Sequence, residues 1–231
     1  MKKIICLLLA LVCLFAVVSC DDNSGDQTGE QQGDQNGGQD GGSDKETKSI
    51  SEVIAMSKPT VVTTHIAYNG DDVLEGEFIT RTDGAISVFE YNYQRLATVP
   101  EMSDGRIKTV EGKIYYKDGQ VYTTEGEAWV DVDTYVTSPF TVRIEEDKFK
   151  TYELSEDGKT LEGTIVAENS ERVLGTAINA DGDISIEIIT NGYSYLYYIN
   201  VSYKAAGSGA LVTINTSYDY SSVELEVPGE E

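Results

Sequence analysis

The sequence predicts a mainly β domain: one curved antiparallel meander sheet with a short N-terminal helix and a short mid-chain helix. Three observations lead there. After Pro59 apolar residues recur with period two in segment after segment, these segments are punctuated by Asn-Gly or Asp-Gly pairs, and only two stretches break the alternation toward a helical pattern.

The first such stretch is "SISEVIAMSKP". Ser49 and Glu52 have capping-box spacing, Ile50, Val53, Ile54 and Met56 give a mostly apolar face, and Pro59 blocks continuation, which predicts a helix over 50–57. Turn pairs then follow at Asn69-Gly70, Asp83-Gly84, Asp104-Gly105, Asp118-Gly119, Asp157-Gly158, Asp181-Gly182 and Asn191-Gly192. Such pairs reach the left-handed conformations of tight hairpins, so they read as the tips of a meander. The second stretch, "AENSERVLGT" from Ala167 to Thr176, loses the alternation and predicts a turn or two of helix before Gly175.

Strict alternation assigns the faces. In "GYSYLYYINVSYK" it puts Tyr193, Tyr195, Tyr197, Ile199, Val201 and Tyr203 on one side, with Ser194, Leu196, Tyr198, Asn200, Ser202 and Lys204 on the other. In "AISVFEYNY" Phe89, Tyr91 and Tyr93 oppose Ile86, Val88, Glu90 and Asn92. Neither strand has a purely wet side, which fits a curved sheet with material on both faces.

The N-terminus carries a different signal. Lys2 and Lys3 precede an apolar run from Ile4 to Val18 and the small residue Ser19, the pattern of a secretory signal peptide. The run falls short of the roughly 20 residues that cross a bilayer. At Val17-Val18-Ser19-Cys20 it resembles the lipobox of bacterial lipoproteins. That resemblance implies cleavage before Cys20, a diacylglyceryl thioether on its sulfur and a further acyl chain on the new amino terminus. Two or more chains make a stable anchor where one is marginal. The other cysteines, Cys6 and Cys13, would leave with the signal, so the mature domain is expected to hold no disulfide or thiol nucleophile.

Three segments result: a signal peptide at 1–19, an acidic Gly/Gln-rich tether at 20–48 and a single mainly β domain at 49–231. From Gly25 the tether runs "GDQTGEQQGDQNGGQDGGSD" without an apolar residue, and such a segment cannot offset its conformational entropy. As a flexible coil it would span about 30 Å. The expected location is the cell envelope, with acyl chains on Cys20 in a membrane and the domain facing away from the cytoplasm. A net charge of −23 argues against nucleic-acid partners, since phosphate backbones are repelled. The domain is expected to be monomeric.

The catalytic inventory is thin. His65 is the sole histidine; in "TVVTTHIAY" it faces away from Val62, Ile66 and Tyr68 and reads as a partly exposed strand residue. With one histidine and no mature cysteine, transition-metal sites and Ser-His-Asp chemistry are poorly served, and no catalytic residue, metal site or cofactor is expected. Asp131, Asp133, Asp181 and Asp183 could offer oxygens to calcium, but acidic turns are ordinarily solvated. Fifteen tyrosines against five phenylalanines and one tryptophan, Trp129, is the more suggestive feature, because tyrosine suits wet apolar surfaces as well as sheet faces.

The capped helix at 50–57, the hairpins through "GKIYYKDGQVYTTEGEAW", the short helix near 168–175 and the closing strands "YLYYINVSYK" and "GALVTINTSYDY" follow one another in an order that resembles the lipoprotein carriers typified by LolA and LolB and the mycobacterial LppX-type lipoproteins. The resemblance implies an unclosed half-barrel sheet around helices and a hollow that holds acyl chains. It leads to a non-enzymatic binding protein for an apolar or amphipathic ligand such as a lipid, with Phe78, Phe89, Tyr91, Tyr195 and Tyr197 as candidate ligand contacts. The alternative is a non-catalytic interaction module that presents a tyrosine-rich sheet face.

Overall fold

The structure, a computed structural model, describes residues 48–97, 106–118, 120–123, 128–131, 142–226 and 228. The segment expected to be a signal peptide, Cys20, most of the expected tether, Asp104-Gly105, Gly119 and Asp133 lie outside the described residues.

Helix α1 (Ile50–Met56) starts with the predicted capping box: the Ser49 backbone N–H donates to Glu52 Oε2 at 2.8 Å, and the Glu52 N–H donates to Ser49 Oγ at 3.3 Å. Among the described residues eleven strands follow. In chain order they are β1 (Val61–Asn69), β2 (Val73–Asp83), β3 (Ile86–Leu96), β4 (Ile107–Lys117), β5 (Gln120–Thr123), β6 (Ala128–Asp131), β7 (Thr151–Leu154), β8 (Thr160–Ile165), β9 (Ile184–Thr190), β10 (Leu196–Lys204) and β11 (Leu211–Asp219). Between β8 and β9 a 3-10 turn at Ala167–Asn169 leads into helix α2 (Ser170–Leu174), which Gly175 closes at φ 72°, the left-handed cap glycine reaches without strain.

All eleven strands form one unclosed antiparallel sheet in the order β6-β5-β4-β3-β2-β1-β11-β10-β9-β8-β7. The meander is therefore cut in two and rejoined at its ends, with the first and last strands paired at the centre from Val61–Asp219 to Asn69–Leu211. Both edge strands, β6 and β7, are four residues long, which limits the unpaired backbone available for edge-to-edge association.

Two sequence expectations are corrected. Asp181-Gly182 is not a hairpin tip: it lies on the approach to β9, beside an isolated bridge between Ala180 and Ala205, and Gly182 has φ 95°. The face assignment across Tyr195–Ile199 also fails, because the register between β9 and β10 shifts by one residue between Leu196 and Tyr198. This bulge places Leu196 on the buried face with Ile199 and Val201 and leaves Tyr195 and Tyr197 exposed. The side chain of Asn191 fixes the loop before it, its Oδ1 accepting the backbone N–H groups of Tyr193, Ser194 and Tyr195 at 2.8–2.9 Å.

Register aligns the faces across the whole sheet. On the inner face one row runs Leu161, Ile188, Ile199, Thr216, then Thr64, Phe78, Tyr91 and Gly112. The row is aliphatic over β8–β10, hydroxylic at the β11–β1 seam and aromatic over β2–β3. Helices α1 and α2 cover the aliphatic half: Ile50, Val173 and Leu174 join Leu161, Ile165, Ile184, Ile188 and Ile199 in one buried cluster. At the seam the buried hydroxyls of Thr64 and Thr216 lie 3.2 Å apart and satisfy each other.

Two outcomes follow from this packing. Leu161 is fully buried between strands and helices, so Leu161→Ala is expected to lower stability by about 2–5 kcal/mol through lost burial and a residual cavity, read from urea unfolding. On the outer face Glu90 is clamped by Arg81 and Lys113. Partial burial pushes its carboxyl up, but hydrogen bonds from Lys113 and Arg81 outweigh this and hold it below the usual carboxylate range. A depressed folded value contributes stability above the unfolded value and loses it as pH falls through the folded one. Glu90→Gln should thus cost about 1 kcal/mol near neutral pH, with wild type and variant converging in acid.

Candidate functional site

The predicted contacts separate into two groups. Phe78, Phe89 and Tyr91 come together on the inner face and are joined by Tyr93: ring centroids are 6.2 Å apart for Phe78–Phe89, 6.0 Å for Phe89–Tyr91 and 5.9 Å for Phe78–Tyr93. Glycines make room for the rings. A Cβ on Gly112 would stand 2.6 Å from Tyr91 Cζ, and one on Gly76 would stand 3.1 Å from Phe78 Cε2, so the rings of Tyr91 and Phe78 occupy space that a side chain would fill. Phe89 is buried and the others half-buried, an aromatic cluster distinct from the aliphatic one under the helices.

Tyr195 and Tyr197 are placed elsewhere. Tyr195 packs against Tyr220 in a tilted arrangement with ring centroids 4.4 Å apart, and Tyr220 Oη donates to the carbonyl oxygen of Leu196 at 2.9 Å. Strand β10 is separated from β3 by four strand spacings, roughly 19 Å along the sheet. With Tyr193 and Tyr198 these residues form an exposed aromatic patch around the bulge.

The outer face holds what sequence reasoning missed. Directly opposed residues form a single polar row across nine strands. It begins Glu153–Glu162–Glu187–Asn200 on β7 to β10 and continues Asn215–His65–Glu77–Asn92–Glu111 on β11 and β1 to β4. Every position carries a carboxylate, a carboxamide or the lone imidazole. Each of these residues looks like one more polar position in its own strand, and only the register brings them into line.

Two grooves follow this row and meet at Asn215. One, of about 530 Å³, is lined by Glu153, Glu162, Glu187 and Asn200 with Thr151, Thr164, Ser185, Ser202 and Thr213. The other, of about 570 Å³, is lined by His65, Glu75, Glu77, Asn92, Gln94 and Thr109. Together they make a trough floored by amides and flanked on one side by hydroxyls, with Tyr198 one step off the row on the other side.

The electrostatics are one-sided. Five glutamates line the two grooves and no lysine or arginine does. Asn200 Nδ2 donates to Glu187 Oε2 at 2.6 Å, and His65 Nε2 lies 3.4 Å from Glu77 Oε1. Among the described residues Glu153 and Glu162 have no basic partner, and no group of three acidic or histidine side chains is arranged to hold a metal ion. Of the aspartates considered for calcium, Asp183 is paired with Lys150 at 2.6 Å.

No protein-family model matches the chain, and no curated protein matches it. Among the described residues no helix is long and apolar enough to cross a membrane.

Like charges directly opposite one another destabilise a sheet. Glu162 sits between two such neighbours, Glu153 and Glu187. Glu162→Gln is therefore expected to stabilise the fold, by about 0.2–1 kcal/mol at low ionic strength, with the gain shrinking as salt screens the repulsion. Thermal unfolding of both proteins across a salt series reads it directly.

Proposed function

We propose that this chain is a lipid-anchored, extracytoplasmic, non-catalytic binding module that takes its ligand on the open outer face of its sheet. One observation carries the reading: the concave, unfilled volume follows the polar row, whereas the inner face is packed with aliphatic side chains and helices over half its width. The row supplies hydrogen-bonding groups in quantity and only one imidazole, a composition suited to recognition more than to bond making. The lipobox at Val17–Cys20 and the signal peptide before it support a membrane anchor.

A second reading, a carrier of an apolar or amphipathic ligand, is favoured by the half-buried rings of Phe78, Tyr91 and Tyr93, which lie in one aromatic cluster on the inner face. Native mass spectrometry of the domain exported behind a non-lipid signal separates the two. A co-purifying lipid lost on Tyr91→Ser would favour the carrier; a ligand-free protein favours the open face.

The anchor is tested by feeding cells an alkyne-tagged fatty acid. The wild-type protein should take up the tag and fractionate with membranes, and Cys20→Ala should abolish labelling. A wild-type chain that carries no tag would remove the anchored part of the proposal.

A further inference from the structure

We infer that the trough docks an extended, basic polypeptide segment of a partner protein, one with lysine or arginine residues in two places. This rests on the open-face reading above and names its ligand class. Charge complementarity carries it: five glutamates and no basic side chain line two grooves that share one floor.

The alternatives fit less well. A compact metal ion needs converging ligands, and no three of the described acidic or histidine side chains converge in that way. A pyranose ring or a base would be held best by a broad stacking platform, and no phenylalanine, tyrosine or tryptophan lines either groove. Phosphate-bearing ligands are repelled by the glutamates and by the net charge of −23.

The layout sets the ligand's spacing. Acidic groups gather in two places along the trough, Glu153, Glu162 and Glu187 on β7 to β9 and Glu75 and Glu77 on β2. From Glu187 to Glu77 the row crosses four strand spacings, roughly 19 Å, and an extended chain covers that in five or six residues. Between the two acidic groups stand Asn200 and Asn215, whose amides both donate and accept and so match a peptide backbone. The expected segment has a basic residue or pair at each end of a short polar spacer. Its charges relieve the repulsion among glutamates whose grooves hold no lysine or arginine.

The test uses the full lipidated chain in neutral detergent micelles and a fluorescent peptide of about ten residues, with paired lysines at both ends of a Ser-Gly spacer. Fluorescence anisotropy at low salt should show saturable binding, weakened about tenfold or more by Glu162→Gln with Glu187→Gln. Both are isosteric changes, and removing like charge from the row does not threaten the fold. A peptide of the same composition with all its lysines at one end should bind more weakly. The charge-matched control Glu168→Gln with Glu171→Gln, on exposed residues away from the trough, should bind as wild type does.

Equal loss in that control, or equal binding of the clustered peptide, would overturn the inference by reducing it to diffuse attraction. If neutral oligosaccharides bind instead and lose affinity in the Glu162/Glu187 variant, the ligand class falls and the open-face reading stands. If neither probe binds, both fall.

Discussion

The pairing of β1 with β11 is the constraint on which the rest of the molecule depends. Nine residue pairs join strands that lie at opposite ends of the folded chain, and both the inner row and the polar outer row cross this seam. On the inner side it is held by the buried Thr64–Thr216 contact; on the outer side it sets His65 opposite Asn215. The flanking backbone is tied as well, since the Thr60 N–H donates to the Asp219 carbonyl at 2.9 Å. Closing such a long loop is entropically costly and must precede the reward of the contacts it makes, so the seam belongs to the slow, non-local part of folding. Without it the two hairpin arrays would be separate sheets, each with one long exposed edge.

Much of the local structure was readable from the chain because its determinants are local. Ser49 and Glu52 specify the start of α1, Gly175 ends α2, and alternation in "ISIEIIT" gives the buried Ile184, Ile186 and Ile188. The strand faces failed where a local rule was overridden. Around Tyr197 the sequence continues its period of two, but the loop held by Asn191 and the Tyr220 hydroxyl sets Leu196 one step out of phase. The candidate contacts divided for the same reason: Phe78, Phe89 and Tyr91 lie on consecutive hairpin strands with simple register, whereas Tyr195 and Tyr197 lie at the bulge.

The polar row was hidden more deeply. Its members run from His65 to Asn215 in the sequence and have no shared spacing, because each strand contributes only one and the order of strands in space is not their order in the chain. Composition indicated an excess of acid, and the single histidine stood out, but neither could be placed without register. The tyrosine content pointed to the inner face, where the rings of Tyr91 and Phe78 lie beside Gly112 and Gly76. The concavity lies on the opposite face.

The row and the core are two sides of the same strands. Glu162 lies between Leu161 and Gly163, Glu187 between Ile186 and Ile188, and Asn200 between Ile199 and Val201. A slip of one residue in any of these strands would drive a carboxylate or amide into the driest part of the fold, so the row also enforces register. Register enforcement requires polarity, and the neighbouring positions Thr164, Ser185, Ser202 and Thr213 supply it with neutral hydroxyls. It does not require three carboxylates on adjacent strands, which oppose the pairing that they help to specify. The hydroxyl row shows that the sheet can be specified without that repulsion. The charge in excess of what register needs is therefore the part of this surface that folding does not explain, and it is concentrated where the trough opens.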